Sequence, residues 1–471
     1  MAEEYLDQKL KAYEAEDVYP FHMPGHKRQG TVAGGDVHMD ITEISGFDDL
    51  HHATGILKAA QQRAADLYGA LESFYLVNGS TVGLLSALFS MTEEGDEIIM
   101  ARNCHRSIYH AAMLRHLTVH YVYPQWITSG ISGNVSTKDV ENVLKEHPNV
   151  GVVVLTSPTY DGVCTDVEEV ANIVHNFHAR LLVDEAHGAH FGFHPHYPQS
   201  AVRLGADVVV QSLHKTLPSF TQTALLHNQC PELSDALAFY LRIFQTSSPS
   251  YLLMAGMEEC IRTMQTSGEA LCEKLSAHLD WFYKETEKLR VIHIVQPKEV
   301  LSQGAKAFDR SRLIILTGKS KLTGPQLAAR LRTEYRIEME MAAGQYVLGI
   351  SSVMDTFEGF RRLAEALLAI DRMLSPIETK QTEHLPLLRM EKKKEMDTRW
   401  MKQCRSVLRK EAVGHIVGEF LYVYPPGIPA IVPGEVYTRA LEARVQQWEA
   451  MGLSVQGTAD ESGKYIGICE D

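Results

Sequence analysis

Two short apolar runs constrain this chain more than any other feature: LLVDEAHG at 181–188 and DVVVQSLHK at 207–215. Each is rich in Val and Leu, and each stops in a cluster of polar side chains. An apolar run without alternation is the pattern of a strand buried on both faces, as in a parallel sheet covered by helices. Open α/β sheets bind ligands beyond the carboxyl ends of their strands. The polar clusters, with Asp184 in one and Lys215 in the other, are therefore expected at one crevice.

A third βα unit adds a phosphate cradle. Phe74 to Val77 reads as a strand, Asn78-Gly79-Ser80-Thr81 as a turn and Val82 to Met91 as a helix. Such a turn offers backbone N–H groups, two hydroxyls and the positive end of a helix dipole to a phosphate. Carboxylate, amine and phosphate cradle together are what pyridoxal phosphate requires. Its aldehyde condenses with a lysine, and its ring nitrogen stays protonated only beside a carboxylate, which makes the ring an electron sink. Plainer roles compete with each part taken singly: Asp and Ser/Thr as helix caps, Lys as a surface residue.

The remaining alternation supports an α/β fold. Glu97 to Ala101 and Thr118 to Val122 read as strands, and Asn103 to Ser107 as a helix cap that includes His105, an imidazole able to stack on a flat ring. Val152 to Leu155 is another strand, followed by the loop TSPTYDG, which puts Thr159 or Tyr160 at the edge, and by a helix from Asp166. Ser219 to Thr223 are candidates for neighbouring contacts. Pro20, Pro24, Gly25 and Gly30 make residues 1–50 an irregular arm. The large domain is expected over 51–275, a smaller α/β domain over 276–374, a linker over 375–400 and a C-terminal domain over 401–471. Residues 231–275 read as helical with a break at TSSPSY (246–251), and a further helix is expected over 275–289.

At 471 residues the chain exceeds the size of a single core. Its formal charge of −14 disfavours nucleic acid and anionic membranes as partners and suits a cationic substrate. No apolar run approaches a membrane span and the N-terminal stretch lacks a signal pattern, so the expected location is cytoplasmic. Seven scattered cysteines without a CxxC pair argue for reduced thiols and against zinc. His22 and His26 sit in a Pro-Gly loop that cannot align two imidazoles on a helical face, and no metal is expected.

With these parts in place, the chain resembles the ornithine/lysine/arginine decarboxylases of the fold-type I (aspartate-aminotransferase-like) pyridoxal-phosphate enzymes, in the short form without an N-terminal wing. The resemblance is carried by PFHMPGHK (20–27), TEISGFDDLHH (42–52), NGST (78–81), RNCHRS (102–107), TYDG (159–162), DEAHG (184–188), QSLHK (211–215), TSSPSY (246–251) and YPPGIP…PGE (424–435). It implies a mostly parallel sheet in the large domain and a small C-terminal domain. It implies Lys215 as the Schiff-base lysine, Asp184 as the partner of the ring nitrogen and His105 as the stacking residue. Phosphate contacts would come from Gly79, Ser80, Thr81, Ser212 and His214. His187 would donate to the cofactor's phenolic oxygen, Ser247 and Ser248 would reach the phosphate of a partner subunit in a homodimer or higher homo-oligomer, and Glu435 would recognise the substrate's distal cation. His214 or Lys215 would return a proton to Cα.

The implied activity is decarboxylation of arginine, lysine or ornithine for polyamine synthesis, with arginine favoured by analogy to short-form members. Another fold-type I activity, such as aminotransferase, aldolase or acyl transferase, fits Asp184 and Lys215 but not the arm or the PGE motif. A catalytically silent homologue is disfavoured by the intact Lys215, Asp184, His105 and Ser80-Thr81.

Overall fold

The computed structural model describes residues 4–16, 18–29, 31–32, 35–127, 131–318, 320–377, 388–423, 427–450 and 453–469. Part of the expected linker (378–387) and Tyr424, Pro425 and Pro426 of the Pro-rich motif lie outside the described residues. The chain forms two compact units, Met1–Met91 with Arg180–Glu273 and Thr92–Ala179 with Lys274–Asp471.

The first unit opens with α1 (Leu6–Ala15), a regular helix within the arm expected to be irregular; beyond it come turns, a short antiparallel pairing of Thr31–Val32 with Gly35–Asp36 and a 3-10 turn at Leu50–His52. Helix α2 (Ile56–Tyr68) buries Leu57, Ala60 and Ala64 at helical spacing and stops at Gly69, whose φ of +78° closes the last turn. Strand β1 (Glu72–Leu76) then runs into α3 (Gly79–Met91). In the second unit the chain forms β2 (Glu97–Ala101), α4 (Arg106–Leu114), β3 (Thr118–Val122), α5 (Thr137–Glu146), β4 (Val152–Thr156) and α6 (Val167–Asn176). Back in the first unit come β5 (Arg180–Asp184), β6 (Val208–Ser212), the short α7 (Leu213–Thr216), β7 (Ala224–Asn228) and α8 (Ser234–Phe244).

Helix α9 (Tyr251–Thr286) follows the expected break at TSSPSY and continues for 36 residues. The sequence pattern suggests one helical region ending at 275 and another starting there. No proline interrupts this stretch, and the helix simply runs through.

The first unit holds a four-stranded ladder ordered β1-β7-β6-β5. Strands β5 and β6 are parallel, pairing Asp184 with Val210, as their apolar runs suggested. Strand β7 is antiparallel to both its neighbours, pairing Ala224 with Ser212 on one side and Leu76 on the other. Helix α3 packs on this ladder. A Cβ on Gly83 would lie 2.6 Å from Leu76 Cδ1 and 3.0 Å from Val210 Cγ1, so only glycine permits the approach.

The second unit has a parallel ladder β4-β2-β3, with Met100 paired to Val154 and Ala101 to Val122. Later residues build an antiparallel four-stranded sheet between 293 and 350, around Val295, Ile314, Met341 and Leu348. The C-terminal residues form two three-stranded sheets around Val407, Leu421, Ile431, Tyr437 and Ile466. There Cys404 and Cys469 form a disulfide, which corrects the expectation of reduced thiols for this pair. The cause is register: Arg405 pairs with Ile468, which sets the two cysteines opposite each other across 65 residues of sequence. The other five cysteines are buried thiols. No helix among the described residues is long and apolar enough to cross a membrane.

Candidate active site

Because β7 is antiparallel to both neighbours, β1, β6 and β5 all run in one direction and end on the same edge of the first unit's ladder. That edge carries the turn before α3, the short α7 and the stretch after Asp184. Asp184 is buried, and its Oδ1 accepts the Ala186 N–H at 3.1 Å. Burial pushes its pKa up, while the charge of Lys215 pulls it back toward the ionised form. The Lys215 amine lies 3.0 Å from His187 Nε2. Amine, imidazole and carboxylate thus share one sheet edge, although 31 positions of sequence separate Asp184 from Lys215.

Ser212 ends β6 and precedes α7 without capping it. Its Oγ is buried and has no hydrogen-bond partner among the described residues. His214 sets its Nδ1 2.8 Å from the Thr223 carbonyl. A carbonyl only accepts, so Nδ1 carries a proton and Nε2 is the position that titrates. Burial lowers the pKa of this ring.

Helix α3 starts at Gly79, three residues earlier than expected, with Gly79 at φ +76°. Ser80 and Thr81 therefore lie in its first turn, where backbone N–H groups have no carbonyl within the helix. The turn is tied down on two sides. Gln222 donates its side-chain amide to the Val77 carbonyl, and the Thr246 N–H donates to Asn78 Oδ1 at 3.0 Å. Ser247 and Ser248, just beyond, are exposed in the single chain. Ser219 and Thr223 bond each other at 2.8 Å and close the turn before β7.

His105, Thr159, Tyr160 and Glu435 belong to the second unit. His105 is the N-cap of α4, its Nδ1 accepting the Ser107 N–H at 3.3 Å and pairing with Ser107 Oγ at 2.9 Å. The Thr159 hydroxyl accepts the Val163 N–H at 3.1 Å, and the Tyr160 hydroxyl donates to Glu340, 180 positions on, at 2.7 Å. Glu435 is fully buried and takes Arg102 at 3.1 Å and the Val432 N–H at 3.0 Å on Oε2. Its Oε1 has no partner among the described residues.

Family models for the Orn/Lys/Arg decarboxylase major domain and C-terminal domain match residues 5–310 and 375–454. The chain belongs to the Orn/Lys/Arg decarboxylase family. It is accordingly a pyridoxal-phosphate-dependent amino-acid decarboxylase acting on a basic amino acid. It is 31% identical to an arginine decarboxylase of Bacillus subtilis, over 98% of this chain and 97% of the relative. It is 34% identical to an uncharacterized protein of the same organism, YaaO, over 98% of this chain and 97% of that one. Among solved structures, the Francisella novicida lysine decarboxylase LdcF matches 99% of this chain and 81% of its own, with a TM-score of 0.85 at 20% identity. That likeness establishes the fold.

The residues of this decarboxylase fit the cofactor its family implies. A buried carboxylate, an amine and a buried hydroxyl with no partner among the described residues are what a cationic ring, an aldehyde and a phosphate would meet. A buried polar chain in the same unit has no motif in the sequence to announce it. Glu185 accepts Ser200 and Gln211 at 2.6 Å, Gln211 meets His227 Nε2 at 3.1 Å, and His227 Nδ1 meets Ser73 at 2.7 Å. Burial pushes Glu185 up to about 7 and His227 down to about 3. The available signal was the strand period: neighbours Asp184 and Glu185 face opposite sides. Arg102, the partner of Glu435, was visible only as part of the RNCHRS motif.

Proposed function

We propose that this decarboxylase removes the carboxylate of arginine, giving carbon dioxide and agmatine for polyamine synthesis. The full-length relative named for arginine supports this choice among the basic amino acids. The observation that carries the reading is the Lys215 amine beside His187, with the buried Asp184 carboxylate at the same sheet edge.

In this reading Lys215 would hold the cofactor aldehyde and Asp184 would hold its ring nitrogen in the protonated form. The N–H groups of Gly79 to Thr81, the hydroxyls of Ser80, Thr81 and Ser212, and His214 hold the phosphate. By the family resemblance, His187 would hold the phenolic oxygen and His105 would hold the ring. When bound, pyridoxal phosphate supplies a cationic ring that draws in the electrons of the breaking Cα–carboxylate bond. Glu435 offers Oε1 to the distal cation of the substrate. Either the Lys215 amine, or His214 once a proton has been taken up at Nε2, then delivers a proton to Cα, since Nδ1 of His214 is committed to Thr223. The exposed Ser247 and Ser248 serve a partner subunit, which makes a homodimer the working unit.

The test is an assay of purified holoenzyme with arginine, lysine and ornithine, identifying the amine formed. Arginine should give the highest kcat/KM, and Lys215→Ala should reduce carbon dioxide release to background while the fold persists by circular dichroism. Turnover surviving in that variant would overturn the assignment of Lys215. A higher kcat/KM with lysine or ornithine would overturn only the choice of substrate.

A further inference from the structure

A second group of side chains lies at the other end of β2 from His105. Glu97 is the first residue of β2, and His120 lies at the centre of the neighbouring parallel strand β3, opposite Ile99. Register and alternation put Glu97, Ile99 and His120 on one face of the ladder. Helix α5 packs on both strands, and His147 is its C-terminal cap. The two imidazoles stack with centroids 3.5 Å apart and planes 19° from parallel. His120 Nε2 lies 2.9 Å from Glu97 Oε2. All three ligand atoms lie within 4.8 Å of one another, and all three residues are part-exposed.

We propose that Glu97, His120 and His147 bind one divalent transition-metal ion of the zinc type, pinning the end of α5 to β2 and β3. Two imidazoles and one carboxylate suit zinc, cobalt or nickel and are a poor set for calcium or magnesium, which take oxygen ligands. With metal–ligand bonds of about 2.1 Å, a tetrahedral site needs its ligand atoms about 3.4 Å apart. Coordination turns the two rings out of their stack so that both lone pairs converge on the ion, and the fourth position falls to water. Lys392 is engaged by the Val119 carbonyl at 2.6 Å and by Glu395. Asn149 reaches Glu97 Oε1 at 3.5 Å, leaving Oε2 for the ion.

The ion is structural here, so its test is binding and stability rather than turnover. Untagged holoenzyme, stripped with chelator and dialysed, should take up one equivalent of zinc per chain by calorimetry and gain thermal stability. Cobalt(II) should give the visible absorption of a tetrahedral nitrogen/oxygen site. His120→Ala/His147→Ala should lose that equivalent, the stabilisation and the cobalt spectrum while keeping the rate of carbon dioxide release. His147→Gln, at a part-exposed helix end, provides a variant that folds if the double variant does not. Equal zinc uptake by wild type and variant, or no stoichiometric uptake by wild type, overturns the proposal.

Discussion

Ser212 shows how a single hydroxyl separates what serves the fold from what serves a ligand. A buried hydroxyl without a partner costs about 1–3 kcal/mol, and the Ser212 hydroxyl neither caps α7 nor meets another described group. Replacing it with a methyl should therefore leave the cofactor-free protein as stable as wild type, or more stable by about 1 kcal/mol. With pyridoxal phosphate added, the sign reverses. Losing a hydrogen bond to a charged group costs about 1.5–3 kcal/mol, so affinity should fall about 10- to 100-fold. Denaturation midpoints of Ser212→Ala with and without cofactor, together with a binding titration, check both halves. Equal destabilisation in the two states would make the hydroxyl a structural one. In the sequence Ser212 was visible only through its motif, since a serine closing a strand has no distinctive local signal. Lys215 and Asp184 were legible because an ionisable residue at the end of an apolar run stands out.

At the scale of elements, the strands were legible and their lateral pairing was not. The apolar runs of β4, β5 and β6 announce themselves, and β2 and β3 fall on the expected residues. The chain joining Glu185, Gln211, His227 and Ser73 crosses four strands whose order no local pattern reveals. This chain has a pH signature. Glu185 is raised from 4.5 to about 7, so the folded state binds its proton more tightly than the unfolded state. Its contribution is complete below about pH 4.5 and is lost as pH rises through about 7. His227 acts in the opposite sense: held near 3 against 6.5, it contributes above pH 6.5 and loses that contribution as pH falls toward 3. Over much of this range the two slopes oppose each other, so the measurement must be a difference. Between pH 5 and pH 8, Glu185→Gln should gain about 2–3 kcal/mol relative to wild type in urea denaturation, because only wild type carries the carboxyl slope. A constant difference across that range would show that the bonds from Ser200, Ala201 and Gln211 hold Glu185 ionised in the native state.

At the scale of the whole molecule, a sequence read end to end yields contiguous blocks, whereas each compact unit here is made of two distant segments. The motifs RNCHRS and PGE were each visible, but not that they meet. Arg102 donates to the Pro429 carbonyl at 2.6 Å and to Glu435 at 3.1 Å, across 333 positions, with both side chains at most 1% exposed. Truncating one partner of such a pair leaves the other charged and dry, at a cost of about 3–5 kcal/mol, while replacing both by apolar groups is close to neutral. Arg102→Met should therefore lower the stability of the holoenzyme by that amount, and Arg102→Met/Glu435→Leu should recover most of it. The same pair of variants separates the two roles open to Glu435. If Oε1 receives the distal cation of the substrate, the double variant regains its denaturation midpoint yet keeps a raised KM for arginine, because no apolar group replaces that acceptor. Recovery of both stability and KM would make Glu435 a purely structural counter-ion of Arg102, and recognition of the substrate's far end would then belong to other residues.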